Sequence, residues 1–204
     1  GVLASIWPLH NWSPDGYASA PTAVSMLHGG VLKATGAYAA LRFAIQLMPE
    51  GAKYWLPLVV FLCLANVIYA GTVAFRQRDL KYIIGFASVA HLGLVLLGLC
   101  AMNVYGLNGA GYELFAGGVM TGLMFALVGM IYERAHIRDV DKLDGLARVM
   151  PFAAVAFVIG SLTAMGMPSL PKFVAEMQIF MGLWQASQQI YPYLPNTLAW
   201  WYGT

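Results

Sequence analysis

The residues best equipped for chemistry gather at a break in a long apolar run. In GMPSLPKFVAEM, residues 166–177, Pro168 and Pro171 interrupt the run, and Glu176 follows as it resumes. Proline removes a backbone donor and frees the carbonyl four residues back. Inside a membrane such a break survives only where protein or water satisfies the freed groups. A carboxylate beside it points to ion movement. The alternative is a short loop between two ordinary helices, with Glu176 facing headgroups. Lys172 stands four residues before Glu176, so the two can share a helical face and pair, although Lys before Glu is the weaker order. Otherwise Lys172, at the start of a half-helix, extends away into a polar cavity.

Further ionisable groups lie in apolar surroundings. Lys33 is thirteen residues into its span, where a charge near a bilayer centre costs about 2.5–3.5 kcal/mol. It has to face a buried carboxylate on another helix or line a hydrated path, and it is expected to point toward an interior seam. Lys81, Gly85, Ser88 and His91 recur at three- and four-residue steps, which puts them on one face of one helix. Such a stripe is either a proton path or interhelical hydrogen-bond glue. Glu113, about one turn inside its expected helix, suits a headgroup-level role as well as a functional one. The candidate proton-path residues are Glu176, Lys33, Lys81 and His91. There is no Cys/His metal spacing, P-loop, dinucleotide fingerprint or nucleophile with an orienting base, so no cofactor or metal is expected in this chain. His28 reads as a packed histidine rather than a haem ligand. Cys63 and Cys100 read as small buried hydrophobes.

The elements that must position these groups are membrane helices. Of the 204 residues, 60% are hydrophobic and 10% charged, far from the quarter charged of a soluble domain. The apolar runs have helical length rather than the ten-residue alternation of a barrel. A formal charge of +2 without a basic cluster argues against nucleic acid. The fold class is therefore an all-α integral membrane bundle with a broken helix near the C-terminus. Residues 1–8 read as the tail of a helix begun upstream, because the chain opens on Gly1 and enters apolar sequence at once; a longer protein is expected. Residues 10–20 read as a polar exit from the core. Spans follow at 20–48, 55–75, 81–102 and 110–132, with turns at 49–54, 76–79 and 103–109. A mixed-charge loop fills 133–150, the broken helix spans 151–185, and residues 191–204 read as an aromatic interfacial tail. Arg76, Arg78, Lys81, Arg134, Arg138, Lys142 and Arg148 all fall on one side, which the positive-inside rule places in the cytoplasm or its mitochondrial equivalent.

Four stretches in this order carry a family resemblance: PLHNWSPDGYASAPTAVSMLHGGVLK, RQRDLKYIIGFASVAHLGLVLLG, GMIYERAHIRDVDKLDGLARVMP and GMPSLPKFVAEM. Together they resemble the antiporter-like membrane subunits of respiratory complex I, and YERAHIRD points to subunit M of bacteria, subunit 4 of mitochondria. The resemblance implies part of a fourteen-helix fold of two inverted five-helix repeats in an energy-transducing membrane, bacterial or mitochondrial inner. It also implies an ion-conducting module without a redox centre, with quinone only elsewhere in the assembly. Other membrane subunits and the lipid bilayer would be its partners. A divergent non-pumping subunit and a cation/proton antiporter or membrane hydrogenase subunit are the alternatives. By resemblance Glu176 is the proton-loading glutamate of the broken helix, and Lys81 and His91 fall on tenth-helix positions. The seventh-helix lysine falls on Leu3, the eleventh-helix histidine on Gly117 and the eighth-helix lysine on Ala34, one step after Lys33. The partner glutamate of an earlier helix would precede Gly1. Ser169, Pro171 and Lys172 replace the usual glycine-rich break.

Overall fold

The computed structural model describes residues 2–143 and 145–190; the expected tail at 191–204 lies outside them. Residues 2–11 form successive turns, not the end of a helix. The stretch read as a polar exit folds as α1, Trp12–Ser19, with Ser13, Pro14 and Tyr17 buried. Pro14 is tolerated in the first turn, where no intrahelical N–H is needed. The Tyr17 ring packs on His28 and Phe125, with centroids 4.9 and 5.1 Å apart.

The next run is helical from Thr22 to Leu47 but not uniformly wound. α2 (Thr22–Leu27) passes into a π turn at His28–Leu32, then α3 (Lys33–Ala39), then a second π segment at Ala40–Leu47. α4 covers Pro49–Arg76. The turn expected at 49–54 is its opening, because Pro49 stands where its fixed φ favours a helix start. α5, Leu80–Cys100, starts where the Asp79 carboxylate accepts the Lys81 N–H at 2.8 Å.

α6 runs Val104–Ala135, so the turn expected at 103–109 is helix instead. Asn103 caps it, its Oδ1 accepting the Gly106 N–H at 2.8 Å. The glycines that suggested a turn serve a close helix crossing. A side chain at Gly109 would meet Ala175 O at 2.9 Å and Ile179 N at 2.8 Å.

The hydrophilic loop that follows holds a 3-10 turn at Val140–Lys142 and the short α7, Leu146–Val149. It is stitched to the loop before α5. The Leu80 N–H donates to Arg138 O at 3.0 Å and the Val140 N–H to Arg78 O at 2.9 Å. Arg78–Asp141 at 3.2 Å and Arg138–Asp79 at 3.6 Å add ion pairs. Both loops therefore occupy the same end of the bundle. α8 (Pro151–Ala164) and α9 (Pro171–Ile190) are the two halves of the broken helix.

Among the described residues, three helices are singly long and apolar enough to cross a membrane: Pro49–Arg76, Leu80–Cys100 and Val104–Ala135. Most of that stretch in α5 and α6 is buried, and little of it in α4. Two apolar clusters form the core. One joins Leu92, Val95, Leu96 and Leu99 of α5 to Cys63 and Ala110. The other joins Leu80 and Ile84 of α5 to Phe125 and Val128 of α6 and to Tyr17. The segments between them on α5 and α6 carry the buried polar side chains Ser88, Glu113 and Thr121.

In lipid, helices associate through packing rather than hydrophobic burial, so small residues at crossings matter most. Gly109→Val is expected to destabilise the assembly by about 1–3 kcal/mol through overpacking against α9. Thermal unfolding in detergent reads this, and an unchanged midpoint would contradict the crossing.

Candidate functional site: a buried polar belt

The belt begins at the basic end of the bundle. Lys81 is buried, and its ammonium donates to Ala20 O at 2.7 Å, closing the end of α1. One and two turns onward, Gly85 faces Pro14 and Tyr17, each 3.3 Å from where a Cβ would stand. Ser88 and His91 continue the stripe, about 15 Å of helix from Lys81 to His91 at ~1.5 Å per residue. All four stripe residues face protein.

Lys33 reaches the belt from α3. Its ammonium donates to Ser88 Oγ at 2.5 Å and to Thr121 Oγ1 at 3.0 Å, all three side chains being buried. The inward direction agrees with expectation, but the partners are two hydroxyls, with no carboxylate within ion-pair distance among the described residues. The π turn at His28–Leu32 ends directly before Lys33. A π turn holds an extra residue and shifts the phase of everything after it, so a one-residue offset counted on an ideal helix does not turn this side chain outward.

The other end of the belt is a charged knot. Lys172, 0% exposed, lies 2.9 Å from Glu113 Oε1, itself 1% exposed. The same ammonium is 2.8 Å from His91 Nδ1 and 3.1 Å from Nε2. Glu176 Oε1 is 3.8 Å away, and His91 Nδ1 is 3.7 Å from Glu113 Oε1. The local Lys172–Glu176 pair is thus present, but Glu113 and His91 hold the ammonium more closely, and it does not extend into a separate cavity. The headgroup-level reading of Glu113 is overturned. With α6 starting at Val104, Glu113 lies about two and a half turns in, at ~3.6 residues per turn, facing α9. Neither of its oxygens has an aligned hydrogen-bond donor, so its contact with Lys172 is chiefly Coulombic.

His91, Glu113 and Glu176 bring ligand-type atoms within 4.8 Å of one another. The cation already among them is the Lys172 ammonium. At the break, Gly166 adopts φ 66° and Ser169 φ 83°, the region glycine enters freely and other residues only at a cost. A side chain at Gly166 would press on the Glu176 carboxylate, 3.2 Å from its carbon. His28 stacks between Trp12 and Tyr17. Both cysteines are free, Cys63 buried and Cys100 half-buried.

The family model described as "NADH:quinone oxidoreductase/Mrp antiporter, TM" matches residues 1–196. The chain belongs to that family. Chain 4 2 of NAD(P)H-quinone oxidoreductase from Thermosynechococcus vestitus is 37% identical over 183 residues, 90% of this chain and 34% of that protein. Chain 4 1 from Synechococcus sp. strain JA-2-3B'a(2-13) is 38% identical over 183 residues, 90% and 35% of the two. The chain therefore spans about a third of the length of these relatives. Respiratory complex I from Thermus thermophilus with bound NADH aligns at TM-score 0.86 and 33% identity, over 93% of this chain and 40% of the matched one. The Mrp complex from Dietzia sp. DQ12-45-1b aligns at 0.87 and 25%, over 92% and 35%. The expected multi-pass, all-α antiporter-like fold is thereby shown, and the chain 4 relatives agree with the YERAHIRD signal. Within this family member, Leu3 is exposed, Ala34 is half-buried, and Gly117 is buried beside Glu113.

Thr121 is the belt residue that sequence reasoning passed over, and Glu113 the one whose role it left open. Glu113 lay four residues before Gly117, one turn away on the same face, but the assumed late helix start hid its depth. Ser88→Ala leaves the Lys33 ammonium with Thr121 alone, and hydrogen bonds to a charge contribute about 1.5–3 kcal/mol. A stability loss of that order is expected in Ser88→Ala and not in Ser88→Thr, which keeps the hydroxyl. Equal losses in equilibrium denaturation would contradict the role of the hydroxyl.

Proposed function

We propose that this chain is part of an antiporter-like membrane-arm subunit of a proton-translocating NADH:quinone oxidoreductase. It would conduct protons along the belt from Lys81 past Lys33 and His91 to Glu176. The observation that carries this reading is the burial of Lys33, Ser88, Thr121, Lys172 and Glu113, with His91 half-buried among them, in two polar groups flanked by apolar clusters and leading to a carboxylate at a helix break. Buried ionisable groups in membrane helices are expensive and mark ion pathways. The chain 4 relatives are named as parts of NAD(P)H-quinone oxidoreductases, which supports electron transfer at the level of the assembly. This chain supplies no redox centre in that scheme; nucleotide and quinone bind elsewhere, and other membrane subunits and lipid are its neighbours. The site would be an energy-transducing membrane, with the basic loops on the cytoplasmic or matrix side.

A second reading, a cation/proton antiporter subunit, is favoured by the equally close backbone match to the Mrp complex. Native mass of the assembly separates the two, because only the oxidoreductase brings redox partners. Glu176→Gln keeps the shape of the break and removes the charge. The proton-to-electron ratio in reconstituted vesicles is expected to fall while assembly and electron transfer persist. An unchanged ratio would sink the conducting role of Glu176.

A further inference from the structure

The knot contains two carboxylates and one ammonium that is free to serve them. Lys33 is committed to Ser88 and Thr121, and among the described residues no other cation lies within 4 Å of Glu113 or Glu176 apart from His91 when protonated. In the dry interior an ionised carboxylate without a cation is strongly disfavoured, and two close carboxylates disfavour each other's ionisation. One ammonium therefore supports one ionised carboxylate at a time. Lys172 stands between the two, one α9 turn before Glu176 and across the crossing from Glu113. Its Nζ is 2.9 Å from Glu113 Oε1 and 3.8 Å from Glu176 Oε1, so a change of side-chain rotamer is enough to exchange partners. Gly117 leaves room for the exchange: beyond its own helix backbone, among the described residues only Glu113 Oε1 comes within 4 Å of where its Cβ would be, at 3.6 Å.

Resting on the proton-conducting reading above, we propose that Lys172 is a moving counter-ion that alternates between Glu113 and Glu176, making Glu113 a second proton carrier of the belt. In the first state Glu113 is ionised and covered by Lys172, and Glu176 is protonated. A proton arriving on His91 passes to Glu113: the imidazolium N–H breaks and a carboxyl O–H forms. The ammonium, released, moves to Glu176, whose O–H breaks as its proton leaves along the Gly166 side of the break. Glu113 is now protonated and Glu176 ionised, with Lys172 upon it. Transfer of the Glu113 proton to Glu176 restores the first state and draws Lys172 back. One proton enters and one leaves, and the three groups keep zero net charge at both resting points. Because the ammonium always covers the ionised carboxylate, the two sides of the membrane are never joined by one open wire.

The test uses the assembled complex carrying this chain, with structures of two variants and proton translocation in vesicles. In Glu113→Gln the ammonium is expected on Glu176, closing the 3.8 Å gap; in Glu176→Gln it is expected to stay on Glu113. Both variants, and Lys172→Met, are expected to lose translocation to the same level. Should Lys172→Met fail to assemble, the double variant Glu113→Gln/Lys172→Met removes the pair's charges together and is expected to assemble without translocating. A Lys172 that keeps its place in Glu113→Gln, or a wild-type level of translocation in Glu113→Gln or the double variant, overturns the alternating role alone. A wild-type complex that transfers electrons without moving protons overturns the conducting reading and this inference with it.

Discussion

A lysine ammonium taken out of water must find acceptors, because the cost of burying an unpaired charge is several kcal/mol. Among the described residues three lysines are buried, Lys33, Lys81 and Lys172; Lys81 rests on a backbone carbonyl, and the other two are satisfied differently. Lys33 receives two hydroxyl oxygens and no counter-charge. Lys172 receives a carboxylate, an imidazole and, farther off, a second carboxylate. The rest of the bundle serves these arrangements. α6 must cross α9 closely enough for Glu113 to meet Lys172, and Gly109 permits that approach. α5 must present Ser88 and His91 inward on successive turns, which its capped start at Asp79 and the stitched basic loops hold in phase.

The charge layout also accounts for a cation at the wrong end of a helix. A half-helix N-terminus carries positive dipole character and disfavours an ammonium, yet Lys172 is the second residue of α9. A single ionised carboxylate, from Glu113 or Glu176, supplies more charge than the roughly half-charge the dipole opposes. The break is held by unusual backbone at Gly166 and Ser169, and Gly166 leaves the Glu176 carboxylate the space it occupies. Positions where the family resemblance places further ionisable groups are taken otherwise. Leu3 is exposed and apolar, and the volume beside Gly117 is shared with the Glu113 carboxylate.

Much of this was legible in the amino-acid sequence, for physical reasons that also explain the rest. The membrane class, the run of helices and the doubly proline-broken helix follow from long apolar segments and the backbone chemistry of proline. The shared face of Lys81, Gly85, Ser88 and His91 follows from helical periodicity alone; that it turns inward comes from the packing. Glu113 was hidden because a glycine-rich stretch looks the same whether it turns the chain or lets two helices touch. Lys33 was rightly expected to point inward, but its one-residue offset had no explanation in the sequence, because π turns leave no compositional mark and a count on an ideal helix cannot register them. α1 was missed because Pro14, Asp15 and Gly16 are turn formers that a first helical turn also tolerates. Thr121 carries no signal of its own; only the packing of α6 against the His28–Leu32 turn and α5 brings it to Lys33.

On the proposed reading, the belt is one continuous conducting line from the basic loops to the break. A map of the assembled complex at a resolution that places ordered water tests it most directly. Water bridging the Lys33 ammonium to His91, and Glu176 to the surface past Gly166, is the predicted result. A dry seam, with apolar side chains closing the space between Lys33 and His91, would contradict it.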